Sequence, residues 1–219
     1  YALVSPWKFK AFPKEVTRVL VVELLGVGDV LVVTPALRAL RARFPRAEVD
    51  VLVRQGMEEV LWGNKNVKSI VVAKQDFFGL VDQIKKGRYD LGVVFHPGSL
   101  WLCLALVFGG VAYRVGCTTD VGLLSGKGFF LNRRVRPFVG VRHKVRYNLA
   151  VVQSVGAVAR DERLEVHADG EARARVRSLL EKNGVKKSSR VAVVHVCSRH
   201  VRQRWVAERW VGVGEWLVR

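Results

Sequence analysis

Residues 18–44 read RVLVVELLGVGDVLVVTPALRALRARF, and this stretch decides the fold. Residues 19–24 are rich in β-branched side chains and leucine, the pattern of a strand buried on both faces. A short loop follows, Gly26-Val27-Gly28-Asp29-Val30-Leu31. The spacing then predicts a helix over 35–44 with apolar Leu37 and Leu40, Thr34 as N-cap and Pro35 at the first helical position, where its missing N–H costs nothing. Strand, loop and helix in this order are the opening unit of a doubly wound sheet.

The same rhythm continues outward. Apolar runs at 49–53, 69–72 and 91–95 read as further strands, and 77–86 and 100–108 as helices between them. Short strands are expected at 111–115 and 129–132, and a helix at 146–155. The fold class is therefore α/β with a mostly parallel sheet, a Rossmann-like N-terminal domain over residues 1–165. From about Asp161 the composition turns charged, with a helix over 169–182 closed by Asn183-Gly184, and residues 166–189 read as a linker region. Residues 190–196 read as a new buried strand and 207–218 as a helix, so 190–219 is the expected beginning of a second Rossmann-like domain that the chain does not complete. Trp205, Trp210 and Trp216 read as packing residues within it.

Of 219 residues, 50% are hydrophobic and 26% charged, the balance of a globular protein rather than a disordered one. The apolar stretch 91–113 is broken by His96, Pro97 and Gly98 and falls short of the roughly 20 residues a membrane helix needs. Lysine and arginine total 37 against 19 acidic residues, a formal charge of +18 that favours phosphate-rich partners or an anionic membrane surface. Cys103, Cys117 and Cys197 form no C-x-x-C pair and read as reduced, buried thiols of a cytoplasmic protein. In residues 1–14, Trp7, Phe9 and Phe12 alternate with Lys8, Lys10 and Lys14, which suits either a membrane interface or packing on the domain surface.

The first loop lies where open α/β sheets bind ligands. It is a poor dinucleotide cradle, because Leu31 stands where the third glycine belongs and Asp29 would aim a carboxylate at the pyrophosphate. Asp29 held between glycines near a helix start fits two roles: a general base for a hydroxyl, or a turn and capping residue. The histidines His96, His143, His167, His195 and His200 show no zinc spacing, so no metal site is expected.

The residues also carry a family likeness. Gly28-Asp29-Val30, residues 34–40 (TPALRAL), Phe44-Pro45, Arg88-Tyr89-Asp90-Leu91, His96, Gly98-Ser99, Arg114-Val115-Gly116, His143 with Asn148-Leu149, Val194-His195 and Arg204-Trp205 follow in order. This set resembles glycosyltransferase family nine, the ADP-heptose:lipopolysaccharide heptosyltransferases. The resemblance implies a two-domain GT-B fold and inverting, metal-independent transfer of a heptose or similar sugar from a nucleotide-sugar donor to an anionic lipopolysaccharide core acceptor. It implies no cofactor beyond that donor, ADP-heptose or another nucleotide sugar, and a place at the cytoplasmic face of the inner membrane. With this resemblance, Asp29 is expected to take the role of base, Gly28, Arg142, His143 and Arg146 to bind the acceptor, and Ser198, Gln203 and Arg204 to bind the donor. The 219-residue chain alone is expected to be inactive, since half of a two-domain site would be missing.

Val196, Cys197, Gln203 and Val206 depart from the family pattern of His-Pro-Gly and Lys-Arg-Trp-Pro, and the lost lysine removes a charge that would stabilise the departing diphosphate. Residues 121–160 contain no acidic residue while Lys127, Arg133, Arg134, Arg136, Arg142, Lys144, Arg146 and Arg160 accumulate, a block suited to gripping phosphates and sugar acids. The competing reading is a non-catalytic or degenerate basic α/β domain that binds nucleic acid or anionic lipid. Phe138 and Tyr147 give a nucleic-acid reading little aromatic support.

Overall fold

The computed structural model describes residues 11–95, 100–117, 128–135, 143–198 and 201–218. The chain divides into two compact units, residues 1–168 and 169–219. In the first, six parallel strands run in the order β3-β2-β1-β4-β5-β6, with β1 Arg18–Glu23, β2 Glu48–Val53, β3 Ser69–Val72, β4 Leu91–Val94, β5 Tyr113–Cys117 and β6 Arg133–Val135. Every connection is a crossover, which parallel pairing demands. The helices are α1 Val27–Leu31, α2 Thr34–Arg43, α3 Phe77–Gly87, α4 Leu100–Phe108 and α5 Lys144–Gln153. The strand order reverses between β1 and β4, which are adjacent with Val19 opposite Leu91 and Val22 opposite Val94.

Alternation along β1 divides the core. Val19 and Val21 face one layer with Leu37 and Leu40 of α2 and Val151 and Val152 of α5. Leu20 and Val22 face the other with Leu80 and Ile84 of α3 and Leu102 and Leu106 of α4. Both layers are essentially dry, so the continuous apolar strand pattern reflects two covered faces.

At the amino edge of the sheet the strand ends are fastened by acids. Asp50, 3% exposed, accepts hydrogen bonds from Arg18 Nη2 and Tyr89 Oη, each at 2.9 Å. Asp90 accepts from the Thr17 N–H and hydroxyl and from the Arg18 N–H. Burial would raise the Asp90 carboxyl, but these donors outweigh it and hold it below the usual carboxylate range.

Several sequence expectations shift. The N-cap of α2 is Val33, and Thr34 is the first helical residue. The Thr34 hydroxyl donates to Leu31 O at 2.8 Å and accepts the Glu165 N–H at 3.0 Å, work that draws it inside the helix rather than over its end. Residues 26–31 form a helical turn, α1, rather than an open loop. The strand expected at 111–115 begins at Tyr113, because Gly110 turns the chain at φ +77° and the Val111 N–H closes on Leu106 O. At 129–132 a 3-10 turn, Gly128–Phe130, precedes β6. Phe12 packs on Phe44 and Tyr113, so this aromatic of the N-terminal segment serves the domain; residues 1–10 lie outside the described residues. Cys103 and Cys117 are buried, whereas Cys197 is exposed.

The second unit contains α6 Gly170–Lys182, a 3-10 turn Val201–Gln203 and α7 Ala207–Leu217. Residues 190–196 form no strand. A buried strand needs neighbours to satisfy its backbone, and none is present among the described residues of this unit, leaving Val191 and Val193 exposed. Trp205 and Trp216 are likewise exposed, and Trp205 meets Trp210 edge to face at 5.2 Å rather than entering a core.

Residues 161–167 are bound to the first unit. Arg38 of α2 pairs with Glu165, donates through Nη2 to Asp161 Oδ1 at 2.6 Å and to Arg163 O at 2.9 Å, while the Asn64 and Asn66 amides donate to Glu165 Oε2. Arg38→Ala is expected to cost about 2 kcal/mol, the scale of hydrogen bonds to charged groups. It should raise amide hydrogen exchange selectively at 161–167; exchange there equal to that of the parent would show that Arg38 does not hold the segment.

Candidate functional site

The carboxyl end of β1 lies at the strand-order reversal, the place where a crevice opens because the two adjoining crossovers leave in opposite directions. Three charged residues are brought into electrostatic contact there: Glu23 from the last position of β1, Asp29 from the first turn of α1 and Lys144 from the start of α5. Asp29 is half-buried, and its N–H donates to Gly26 O at 3.0 Å. An acidic side chain in a first helical turn is favoured by the partial positive charge of that helix end. A side-chain carbon at Gly26 or Gly28 would meet no atom within 4 Å, so both glycines leave open space beside Asp29.

Glu23 is the residue that sequence reading missed. It is fully buried; its Oε1 accepts the Leu25 N–H at 3.1 Å, and its Oε2 has no hydrogen-bond partner among the described residues. Burial pushes its carboxyl up to about 7; the Leu25 N–H and the Lys144 ammonium oppose the rise, and the neighbouring Asp29 charge adds to it. A single carboxylate inside an otherwise apolar strand was the available signal, because an unpaired acid is costly in such a place and seldom found there without a role.

The α5 helix supplies the rest of the site. His143 is its N-cap residue, exposed and without a side-chain capping bond. Lys144 Nζ stands 5.4 Å from the centre of the Tyr147 ring. Arg146 turns to Glu162, its Nε 3.0 Å from Oε1. Asn148 is fully buried and donates from Nδ2 to Val32 O at 3.2 Å, tying α5 to the link between α1 and α2. Of the residues expected to bind an acceptor, Gly28 is exposed beside Asp29, His143 opens α5, Arg146 is occupied by an exposed ion pair, and Arg142 lies outside the described residues. Lys144, not among them, is the α5 cation that acts on Glu23.

Ser198, Gln203 and Arg204, expected at the donor, come together in one loop of the second unit. The Ser198 hydroxyl bonds Gln203 Oε1 at 3.1 Å and Arg204 Nε donates to Ser198 O at 2.8 Å. Among the described residues no group of three or more His, Cys, Asp or Glu side chains could hold a metal ion.

No family model matches the chain. A stretch of 90 residues is 30% identical to lipopolysaccharide heptosyltransferase 3 of Escherichia coli, covering 36% of this chain and 26% of that protein. The crystal structure of a family 9 glycosyl transferase from Veillonella parvula superposes with a TM-score of 0.75 at 18% identity, over 93% of this chain and 60% of that one. The chain resembles the family-nine glycosyltransferases. E. coli heptosyltransferase WaaC, solved with ADP-2-deoxy-2-fluoro heptose, gives a TM-score of 0.65 at 16% identity over 92% of this chain and 65% of its own. The chain thus shares the α/β fold of the family-nine structures and spans about two thirds or less of their length.

Glu23 makes a pH prediction. Its folded-state pKa near 7 exceeds the ordinary carboxyl value of 4.5, so the folded protein binds more protons between these values. Stability contributed by the neutral acid is present below about 4.5 and is lost as pH rises through 7, an amount on the order of 3 kcal/mol. Glu23→Gln should therefore flatten the fall in melting temperature between pH 5 and pH 8. Parallel melting curves for parent and variant across that range would contradict the assignment.

Proposed function

We propose that the chain is the acceptor-binding part of an inverting glycosyltransferase that moves a heptose, or a similar sugar, from a nucleotide-sugar donor to an anionic lipopolysaccharide core acceptor. The observation that carries this reading is Asp29, placed beside Glu23 and Lys144 at the strand-order reversal of a fold shared with family-nine structures. The V. parvula family 9 enzyme and the E. coli heptosyltransferases give the reaction class, and WaaC, bound to an ADP-sugar analogue, gives the donor class.

In the reaction proposed, the Asp29 carboxylate takes the proton of an acceptor hydroxyl as that oxygen forms a bond to the anomeric carbon of the donor. The anomeric bond to the diphosphate breaks, and the nucleoside diphosphate leaves with the electron pair. Proximity to an oriented base lowers the barrier because proton loss and bond formation proceed together. Lys144 lies close enough to Glu23 to favour its ionised form, and its ammonium also suits a phosphate or sugar-acid group of the acceptor. Glu23, with its carboxyl raised to about 7, carries only part of a negative charge beside Asp29 at neutral pH, which lessens the repulsion of an anionic acceptor. The Ser198, Gln203 and Arg204 loop is assigned to the donor, with Arg204 as its cation. The reaction needs no metal and no cofactor besides the donor, and it takes place at the cytoplasmic face of the membrane that carries the acceptor. Among the described residues no helix is long and apolar enough to cross a membrane.

The test is transfer by the full-length gene product from ADP-heptose to lipid A bearing acidic sugars. Asp29→Asn keeps the side-chain shape without proton affinity and is expected to lower turnover by roughly 10²- to 10⁴-fold while the protein stays folded. Equal turnover from pH 6 to 9 would return Asp29 to a turn-forming role. The 219-residue chain alone is expected to show no transfer, and robust transfer by that chain would overturn the division of acceptor and donor sites. An oligonucleotide that binds as tightly as the glycolipid, with no effect of nucleotide sugar, would instead favour a basic binding domain.

A further inference from the structure

A surface helix of a globular domain normally carries polar residues on its outward face. The α4 helix does not: its sequence LWLCLALVF holds no charged residue and no polar side chain except the buried Cys103. Leu100 and Trp101 are each 44% exposed and Phe108 is 61% exposed. The neighbouring α3 continues the apolar surface with Phe78, 82% exposed. Phe77 joins the patch, with its ring centre 5.2 Å from Trp101, 5.7 Å from Phe78 and 6.1 Å from Phe108. A contiguous aromatic surface of this kind on a domain with a complete core marks an interaction site.

The charges around the patch indicate what covers it. Of the two carboxylates at α3, Asp82 is paired with Lys86, while Asp76 caps the helix by accepting the Gly79 N–H and keeps its charge. Lys74, just before α3, and Lys85, near its end, are exposed and form no ion pair with a described residue. On the opposite flank the 3-10 turn Gly128–Phe130 packs against α4 and leads into the edge strand β6. In that strand Arg134 pairs in register with Gly116, which is opposite Val94 of the α3 and α4 layer; the parallel pairing places Arg134 on the same side of the sheet as α4. Exposed aromatics bordered by cations that form no ion pair with a described residue match an anionic lipid interface, where rings settle at headgroup depth and lysine or arginine meets phosphate. A second copy of this chain would bring the same cations together around the same patch, which like-charge repulsion opposes.

We infer that the aromatic face of α3 and α4, flanked by Lys74 and Arg134, is a docking surface for an anionic lipid bilayer. The helices α3 and α4 follow β3 and β4, so Phe77, Phe78, Leu100 and Trp101 sit toward the carboxyl edge of the sheet, the edge that also carries Asp29. Docking would bring that edge to the headgroup layer where a lipid-anchored acceptor begins. The choice of a bilayer rests in part on the glycolipid reading above, but vesicle binding is measured without any transfer, so each can fail independently.

The experiment is cosedimentation of the 219-residue chain with vesicles of equal parts phosphatidylcholine and phosphatidylglycerol, and with phosphatidylcholine alone, accompanied by light scattering of the free protein. The parent should bind the anionic vesicles and bind the neutral ones far less. Phe78→Ser combined with Phe108→Ser, both exposed and therefore compatible with folding, should weaken binding by roughly tenfold or more. Lys74→Glu combined with Arg134→Glu should abolish the preference for anionic lipid. No binding by the parent, or equal binding by the aromatic variant, would overturn the assignment. It would also be overturned by a stable dimer that the aromatic substitutions dissociate while vesicle binding is unchanged.

Discussion

Parallel pairing of β1 on both sides, with β2 along one edge and β4 along the other, is the constraint from which the rest of the first unit follows. A strand paired twice and covered on both faces is closed to water along its middle, so its central side chains, Val19 to Val22 here, are apolar and its connections leave from its ends. The reversal of strand order at β1 sends α1 and α2 to one face and the crossover through α4 to the other. The gap between these departures is where open sheets of this kind receive a ligand. Asp29 stands at that gap because the chain leaves β1 by way of Gly26 and a single helical turn.

The same constraint explains Glu23. As the last residue of β1 it still lies within the dry layers, yet its side chain is next to the opening. Its burial costs little while it is protonated and more when it is ionised, so its carboxyl is raised to about 7 and it exchanges its proton around neutral pH. The amino edge behaves differently. There Asp50, through Oδ2, and Asp90 accept from Arg18, Tyr89 and Thr17, and their charges serve to fasten strand ends. Asp50 Oδ1 and Glu23 Oε2 both lack a hydrogen-bond partner among the described residues, but only Asp50 has a guanidinium in direct contact with its carboxylate.

Much of this was legible in the sequence because burial on two faces writes itself as a continuous apolar run: 69–72 is a strand with those bounds, and the strand read at 49–53 begins one residue earlier, at Glu48. The position of Asp29 followed from the order of strand, turn and helix. Glu23 was not singled out, because a run judged by its average hydropathy hides one charged member. The five residues of α1 are too few to show helical periodicity. Residues 190–196 read as a strand on the same apolar evidence as 49–53, but strand formation is decided by distant partners, which an apolar run does not report. Thr34 carries a capping residue's chemistry yet spends its hydroxyl on Leu31 and Glu165, contacts that only the folded chain defines.

The central claim, that the acceptor meets this chain at the carboxyl end of β1, is tested most directly by amide NMR of the 219-residue chain titrated with a soluble acceptor fragment bearing acidic sugars. The account predicts that the backbone amides of Gly26, Gly28, Asp29 and Lys144 shift together and saturate with one dissociation constant. Shifts confined to the amino edge around Arg18, Asp50 and Tyr89, with Gly28 and Asp29 unmoved at saturation, would contradict it.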